Sequence, residues 1–122
     1  MALAAVLVAL SSTAQAGWEK VGEGNDGVTM YADPFTIRRN GSRVKIWEVM
    51  DHPTAQGKAP DQYRSTRALM EYECKEEMYR LLALSLHEGN LLEGHILMTK
   101  NFPTDPWDPI PPRTIARVMM DY

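Results

Sequence analysis

The polar and apolar positions alternate most clearly in the stretch after Asn40-Gly41. Val44, Ile46 and Met50 interleave with Arg43, Lys45, Trp47 and Val49, which predicts a strand with the two sets on opposite faces. Asn-Gly supplies the positive φ angles of a tight hairpin, so residues 36–39 are expected to pair back onto it. The run Gly22-Glu23-Gly24-Asn25-Asp26-Gly27 predicts a second turn, between strands over residues 18–21 and 28–33. Residues 51–62, with Pro53, Gly57 and Pro60, read as a loop, and Glu88-Gly89-Asn90 as a further turn.

Residues 63–99 support two readings. Met70, Cys74, Met78, Leu81 and Ser85 recur at helical spacing in a stretch rich in Leu, Met, Glu and Arg. Yet Ala68, Met70, Tyr72 and Cys74 also alternate with Arg67, Leu69, Glu71 and Glu73, the period of a half-buried strand. Leu92, Gly94, Ile96 and Met98 alternate likewise. Near the C-terminus Ile115, Val118, Met119 and Tyr122 follow i, i+3, i+4, i+7, which predicts a short helix. So few residues are not helical alone in water, and the stripe therefore needs a surface to pack on. Between these regions, residues 100–113 hold Pro103, Pro106, Pro109, Pro111 and Pro112, and should be extended and stiff.

The amino-terminal pattern differs in kind. Residues 1–16 carry no charge, run apolar from Ala2 to Leu10 and end in Ala14-Gln15-Ala16. That apolar run is too short to span a bilayer, and the small-x-small ending is what signal peptidase accepts, so residues 1–16 are expected to be a secretory signal and 17–122 a single domain. No cysteine follows the run, so no lipid anchor is expected. Export would place the domain in the periplasm, at the cell surface or outside. There, disulfides often reinforce small domains, but Cys74 is the only cysteine of the chain, and burial as a small apolar side chain is its favoured role.

Composition narrows the function by exclusion. Thirteen basic against 16 acidic side chains give a net charge of -3, which offers no general attraction to nucleic acid. Gly22, Gly24 and Gly27 match G-x-G-x-x-G, but a nucleotide site needs a helix after the motif, and Val28-Thr29-Met30-Tyr31 reads as strand; a plain turn is the better reading. His87, Glu88, Glu93 and His95 could meet across a hairpin, yet they lack the spacing of a zinc site. No nucleophile motif, P-loop or carboxylate pair is present, so the sequence points to no enzyme, cofactor or metal. The remaining candidate is Trp47 with Arg43 and Lys45. If a helix covers the face of Ile46, these three lie on the open face with the composition of a protein-binding hot spot. Trp47 packed beneath the proline-rich segment is the competing reading.

Trp18, Val21, Tyr31, Asp33, Ile37, Gly41, Val44, Trp47, Ser65, Glu71, Cys74, Gly94 and Trp107-x-Pro109-Ile110-Pro111 together resemble the surface-adhesin protein E-like family of small exported bacterial proteins. The resemblance implies an α+β fold, an antiparallel meander of about six strands with a C-terminal helix packed on one face. It implies strands near 65–75, 77–87 and 91–99. Members often carry a second cysteine near the C-terminus, which residues 118–122 lack, so no internal disulfide is expected. The implied function is non-enzymatic: an exported binding domain that contacts envelope or host extracellular proteins through a sheet face or edge. The alternatives are a homodimeric periplasmic envelope component, with self as partner through an exposed edge, and a small-ligand binder with a pocket between helix and sheet.

Overall fold

The structure is a computed structural model that describes residues 17–24, 26–102 and 106–110. Eight strands form one antiparallel sheet: β1 Glu19–Glu23, β2 Thr29–Ala32, β3 Arg38–Asn40, β4 Arg43–Gln56, β5 Tyr63–Glu73, β6 Met78–His87, β7 Ile96–Asn101 and β8 Asp108–Pro109. Their order is β1-β2-β4-β5-β6-β7, with β3 also on β4 and β8 also on β6. The eight strands therefore occupy six lanes. β2 pairs with residues 48–51 of β4 and β3 with residues 43–45, so these two short strands share one side of β4. In the same way β7 takes residues 83–87 of β6 and β8 takes Met78 and Tyr79.

Local chemistry sets the turns. Asn40 pairs with Arg43, so the central residues of the hairpin are Gly41 and Ser42, one position later than the Asn-Gly signal places them. Gly41 has φ +62°, which fits the glycine-first turn that matches strand twist. Gly22 and Glu23 belong to β1, and the chain reverses after them into antiparallel β2, with Gly24 N–H donating to the Val28 carbonyl at 2.8 Å and no helix following. β4 runs on through Pro53 to Gln56, shortening the expected loop, and its register with β5 is irregular between Asp51 and Gln56.

The contested middle region folds as β5, β6 and β7 joined by turns, with no α-helix. β5 is central, paired along its length to β4 and β6, and this tertiary pairing outweighs helix propensity. The helical spacing of Met70, Cys74, Met78, Leu81 and Ser85 does not mark one face: Met70 pairs with Leu81 on the core side, whereas Met78 and Ser85 pair with Glu73 and Arg67 on the other. A bulge at Leu82 shifts the register between Leu69 and Met70, so Tyr79, Leu81, Leu84 and Leu86 share the core face. Residues 91 and 92, expected to begin a strand, instead complete with Asn90 a single 3₁₀ turn held by left-handed Leu91 and Leu92.

The two faces differ in character. One carries Met30, Ala32, Ile46, Glu48, Met70 and Tyr72. Ala32, Ile46 and Tyr72 form the buried core with Ile110, and Val21, Ile37, Met70, Cys74 and Tyr79 pack around it. Cys74 is thus a half-buried free thiol against the core. The other face carries Arg43, Lys45, Trp47, Val49, Arg67 and Glu71.

The expected α+β class is corrected. The described residues are an all-β sheet with no α-helix, and their only helical turns are the 3₁₀ segments Pro34–Thr36 and Asn90–Leu92. Among them the core is closed by an extended segment: Ile110 is buried in it, and its N–H donates to the Glu77 carbonyl at 3.0 Å. Proline at 109 fixes φ and keeps this segment extended. The helix expected on Ile115, Val118, Met119 and Tyr122 lies outside the described residues, as does the expected signal segment 1–16.

Candidate functional site

Register places Arg43, Lys45 and Trp47 on one face of β4, opposite Glu73, Glu71 and Leu69 of β5. Arg43 and Lys45 are exposed and Trp47 is half-buried. The Trp47 backbone lies in the gap where β2 has ended and β3 has not begun. There the 3₁₀ segment replaces a strand: Trp47 N–H donates to Thr36 Oγ1 at 3.1 Å, and Asp33 N–H donates to the Trp47 carbonyl at 3.1 Å. Those two bonds satisfy groups that a missing strand would orphan.

What the sequence did not reveal is how densely this face joins indoles to guanidinium groups. Arg67 of β5 stands 3.8 Å over the Trp47 ring and 5.9 Å from that of Trp18. Trp107 lies between Arg80 at 4.2 Å and Arg43 at 5.2 Å. Arg80 also donates from Nε at 2.8 Å and Nη2 at 2.7 Å to Glu71, a buried carboxylate. So the proline-rich segment lays Trp107 on Arg43 and Arg80, while Trp47 is covered by Arg67. Each indole–cation contact contributes about 0.5–1 kcal/mol when exposed and about 2 when desolvated.

The opposite face holds a cavity of about 470 Å³ lined mainly by apolar groups, among them Met30, Met50, Ala68, Met70 and Leu84. Glu48 lines it too, although only 6% exposed. Burial pushes its carboxyl up to about 7, and the Tyr72 hydroxyl, donating to Oε2, holds it below the value burial alone would give. Tyr72 is itself pushed up, first by burial and then by the charge of Glu48. A signal for Glu48 was present: it is the one carboxylate in the apolar phase Val44, Ile46, Glu48, Met50.

At the far end of the tryptophan face, His87, Glu88, Glu93 and His95, which the sequence reading sets aside as a metal site, belong to the end of β6 and the turn after it. Among the described residues no three His, Cys, Asp or Glu side chains converge as a metal site requires. Instead Glu88 N–H bonds the His95 carbonyl, and the 3₁₀ turn is tied down by Asp51, which accepts from Leu91 N–H at 2.7 Å and Asn90 Nδ2 at 3.1 Å. Ser65 adds a donor to the Gly89 carbonyl at 2.6 Å. His87 is buried, with Nε2 2.8 Å from Ser85 Oγ. Between it and Trp47 lies a smaller depression of about 210 Å³.

The family model for surface-adhesin protein E matches residues 18–122. The chain belongs to the surface-adhesin protein E family. It is therefore a protein of surface-adhesin type, a kind that is exported or at the cell surface, and none of the described helices is long and apolar enough to cross a membrane. Its fold is similar to that of Haemophilus influenzae protein E, with a TM-score of 0.62 at 12% identity, covering 87% of this chain and 82% of that one. A second crystal form of protein E gives 0.62 at 11% identity, covering 87% and 85%. Protein E from non-typeable Haemophilus influenzae gives 0.57 at 14%, covering 87% and 76%. Identities this low carry the fold and no residue roles. No curated protein sequence matches significantly.

Proposed function

We propose that this chain is a non-enzymatic, exported domain that binds envelope or host extracellular proteins through its tryptophan face, with Arg43, Lys45 and Trp47 at the contact and residues 1–16 as the secretory signal. The observation that carries the reading is the placement of all three tryptophans. Trp18, Trp47 and Trp107 each sit against an arginine on the face opposite the core. Trp and Arg are the residues in which binding energy concentrates at protein interfaces, and rings pre-set by stacked guanidinium groups lose little freedom on contact. Exposed Arg43 and Lys45 lie beside them and supply steering charge.

The test is saturable binding of the processed protein to immobilised extracellular-matrix and envelope proteins, compared with Lys45→Glu. Reversal of one exposed charge at a contact should weaken binding by the folded protein about tenfold. Absence of any saturable binding, or equal binding by the variant, overturns the reading.

The edge strand β7 supports self-association as a second reading. Ile96 is 62% and Met98 39% exposed on a strand whose only ladder partner among the described residues is β6. Sedimentation over a wide concentration range tests it, and a strict monomer sinks it.

A further inference from the structure

The depression on the tryptophan face is built by small residues in the middle of the sheet. Cross-strand pairing aligns Arg67, Ser85 and Thr99 in one row, with Trp47, Leu69, Ala83 and Asn101 in the row beside it. Ala83, Ser85 and Thr99 are too short to fill the space that Trp47 and Arg67 wall on one side and His87 and Ile96 on the other. The polar groups that line it are Arg67, Ser85, His87, Thr99 and Asn101, with no carboxylate among them. Among the described residues the ion pairs are Lys20–Glu23, Arg43–Glu73 and Arg80–Glu71, and Arg67 is in none of them.

Ser85 and His87 share one hydrogen bond, with Oγ 2.8 Å from Nε2. Burial, and then the charge of Arg67, holds the His87 imidazole below its usual range. The pocket presents the Arg67 guanidinium, 3.8 Å over the Trp47 indole, together with the neutral hydrogen-bonding groups of Ser85, Thr99 and Asn101.

Resting on the protein-binding reading above, we propose that this depression is a carboxylate pocket that receives an acidic side chain of the partner protein. A carboxylate is planar and matches the guanidinium fork with two parallel hydrogen bonds, whereas a neutral amide of the same shape leaves donors facing donors. The volume of about 210 Å³ admits an aspartate or glutamate side chain and little more.

The probe is N-acetyl-glutamate added to the isotope-labelled, processed protein, with N-acetyl-glutamine and inorganic phosphate as controls. Saturable shifts confined to the Arg67 Nε–H, the Trp47 indole N–H and the Asn101 side-chain amide are expected with the acid alone. Ser85→Ala and Thr99→Val, small changes that preserve the strands, should each weaken the probe about tenfold, as loss of a donor to a charged group does. Equal shifts from the amide, from phosphate, or without saturation overturn the carboxylate assignment. The same variants then meet the partner protein. If Lys45→Glu abolishes partner binding while Ser85→Ala and Thr99→Val bind as the parent does, the face stands and the acidic anchor is wrong. If the probe binds and no partner protein does, the protein-binding reading fails, and the acidic-side-chain assignment with it.

Discussion

The two faces of the sheet use the same strands for opposite purposes. On one, Ile46 and Tyr72 are buried with Ala32 and Ile110, and the single carboxyl among the apolar positions, Glu48, is pushed up to about 7. On the other, arginines are laid over indoles, and Arg80 reaches the buried side chain of Glu71 with two N–H groups. Two buried carboxyls on adjacent strands thus have different partners, a hydroxyl for Glu48 and a guanidinium for Glu71. Burial of a charge is tolerated only where a partner of opposite sign is supplied. Adjacent residues on β4, Ile46 and Trp47, belong to a core and to a recognition surface respectively, separated only by the pleat.

The comparison breaks most visibly at Ile46. Ile46→Ala should remove about 2–5 kcal/mol of stability, read from denaturant midpoints, because it opens a cavity among Ala32, Tyr72 and Ile110. Partner binding by the molecules that remain folded should be unchanged. A loss of binding without a loss of stability would reverse the roles given to the faces.

Glu48 gives the next largest effect, and it depends on pH. Its folded value of about 7 lies above the ordinary 4.5, so the folded chain binds the proton more tightly than the unfolded one. Stability is then greatest below about pH 4.5 as far as this group is concerned, falls as pH rises through the interval to about 7, and levels above it. The full fall is roughly 3 kcal/mol. Glu48→Gln should flatten that part of the profile and stabilise the protein at pH 8, while Tyr72→Phe, by removing the donor to the carboxylate, should move the fall to higher pH.

Smaller still is Arg67→Met, which keeps the aliphatic stem but loses the cation over Trp47 and Trp18. About 1–2 kcal/mol is expected from the two contacts, with a change in tryptophan emission. An equal loss in high salt and low salt would fit this packed geometry, whereas a loss that disappears in salt would mark a screened surface charge.

The strands around Asn40-Gly41 were legible because turn chemistry and alternation are local, and even there the turn centre fell one residue late. The faces of Arg43, Lys45 and Trp47 were legible for the same reason. Arg67 over Trp47 was not, because it depends on the β4–β5 register, which no single sequence displays. The helical spacing within residues 66–87 competed with alternation because which of the two holds depends on pairing to β4 on one side and β6 on the other, contacts distant in sequence. Glu48 was readable as a charge in the wrong phase. Its upward shift follows from burial that only the assembled core supplies.

The gap beside Trp47 bears on how the fold can diverge. Met30 and Ala32 are keyed to β4 on one side of it and Arg38–Asn40 on the other, so the connection from Asp33 to Ile37 can change length without shifting either register. Asp33 and Thr36 are the exceptions, since the N–H of one and the hydroxyl of the other close the Trp47 backbone. Relatives that lengthen this connection can remodel the rim of the tryptophan face while the sheet beneath it stays in step.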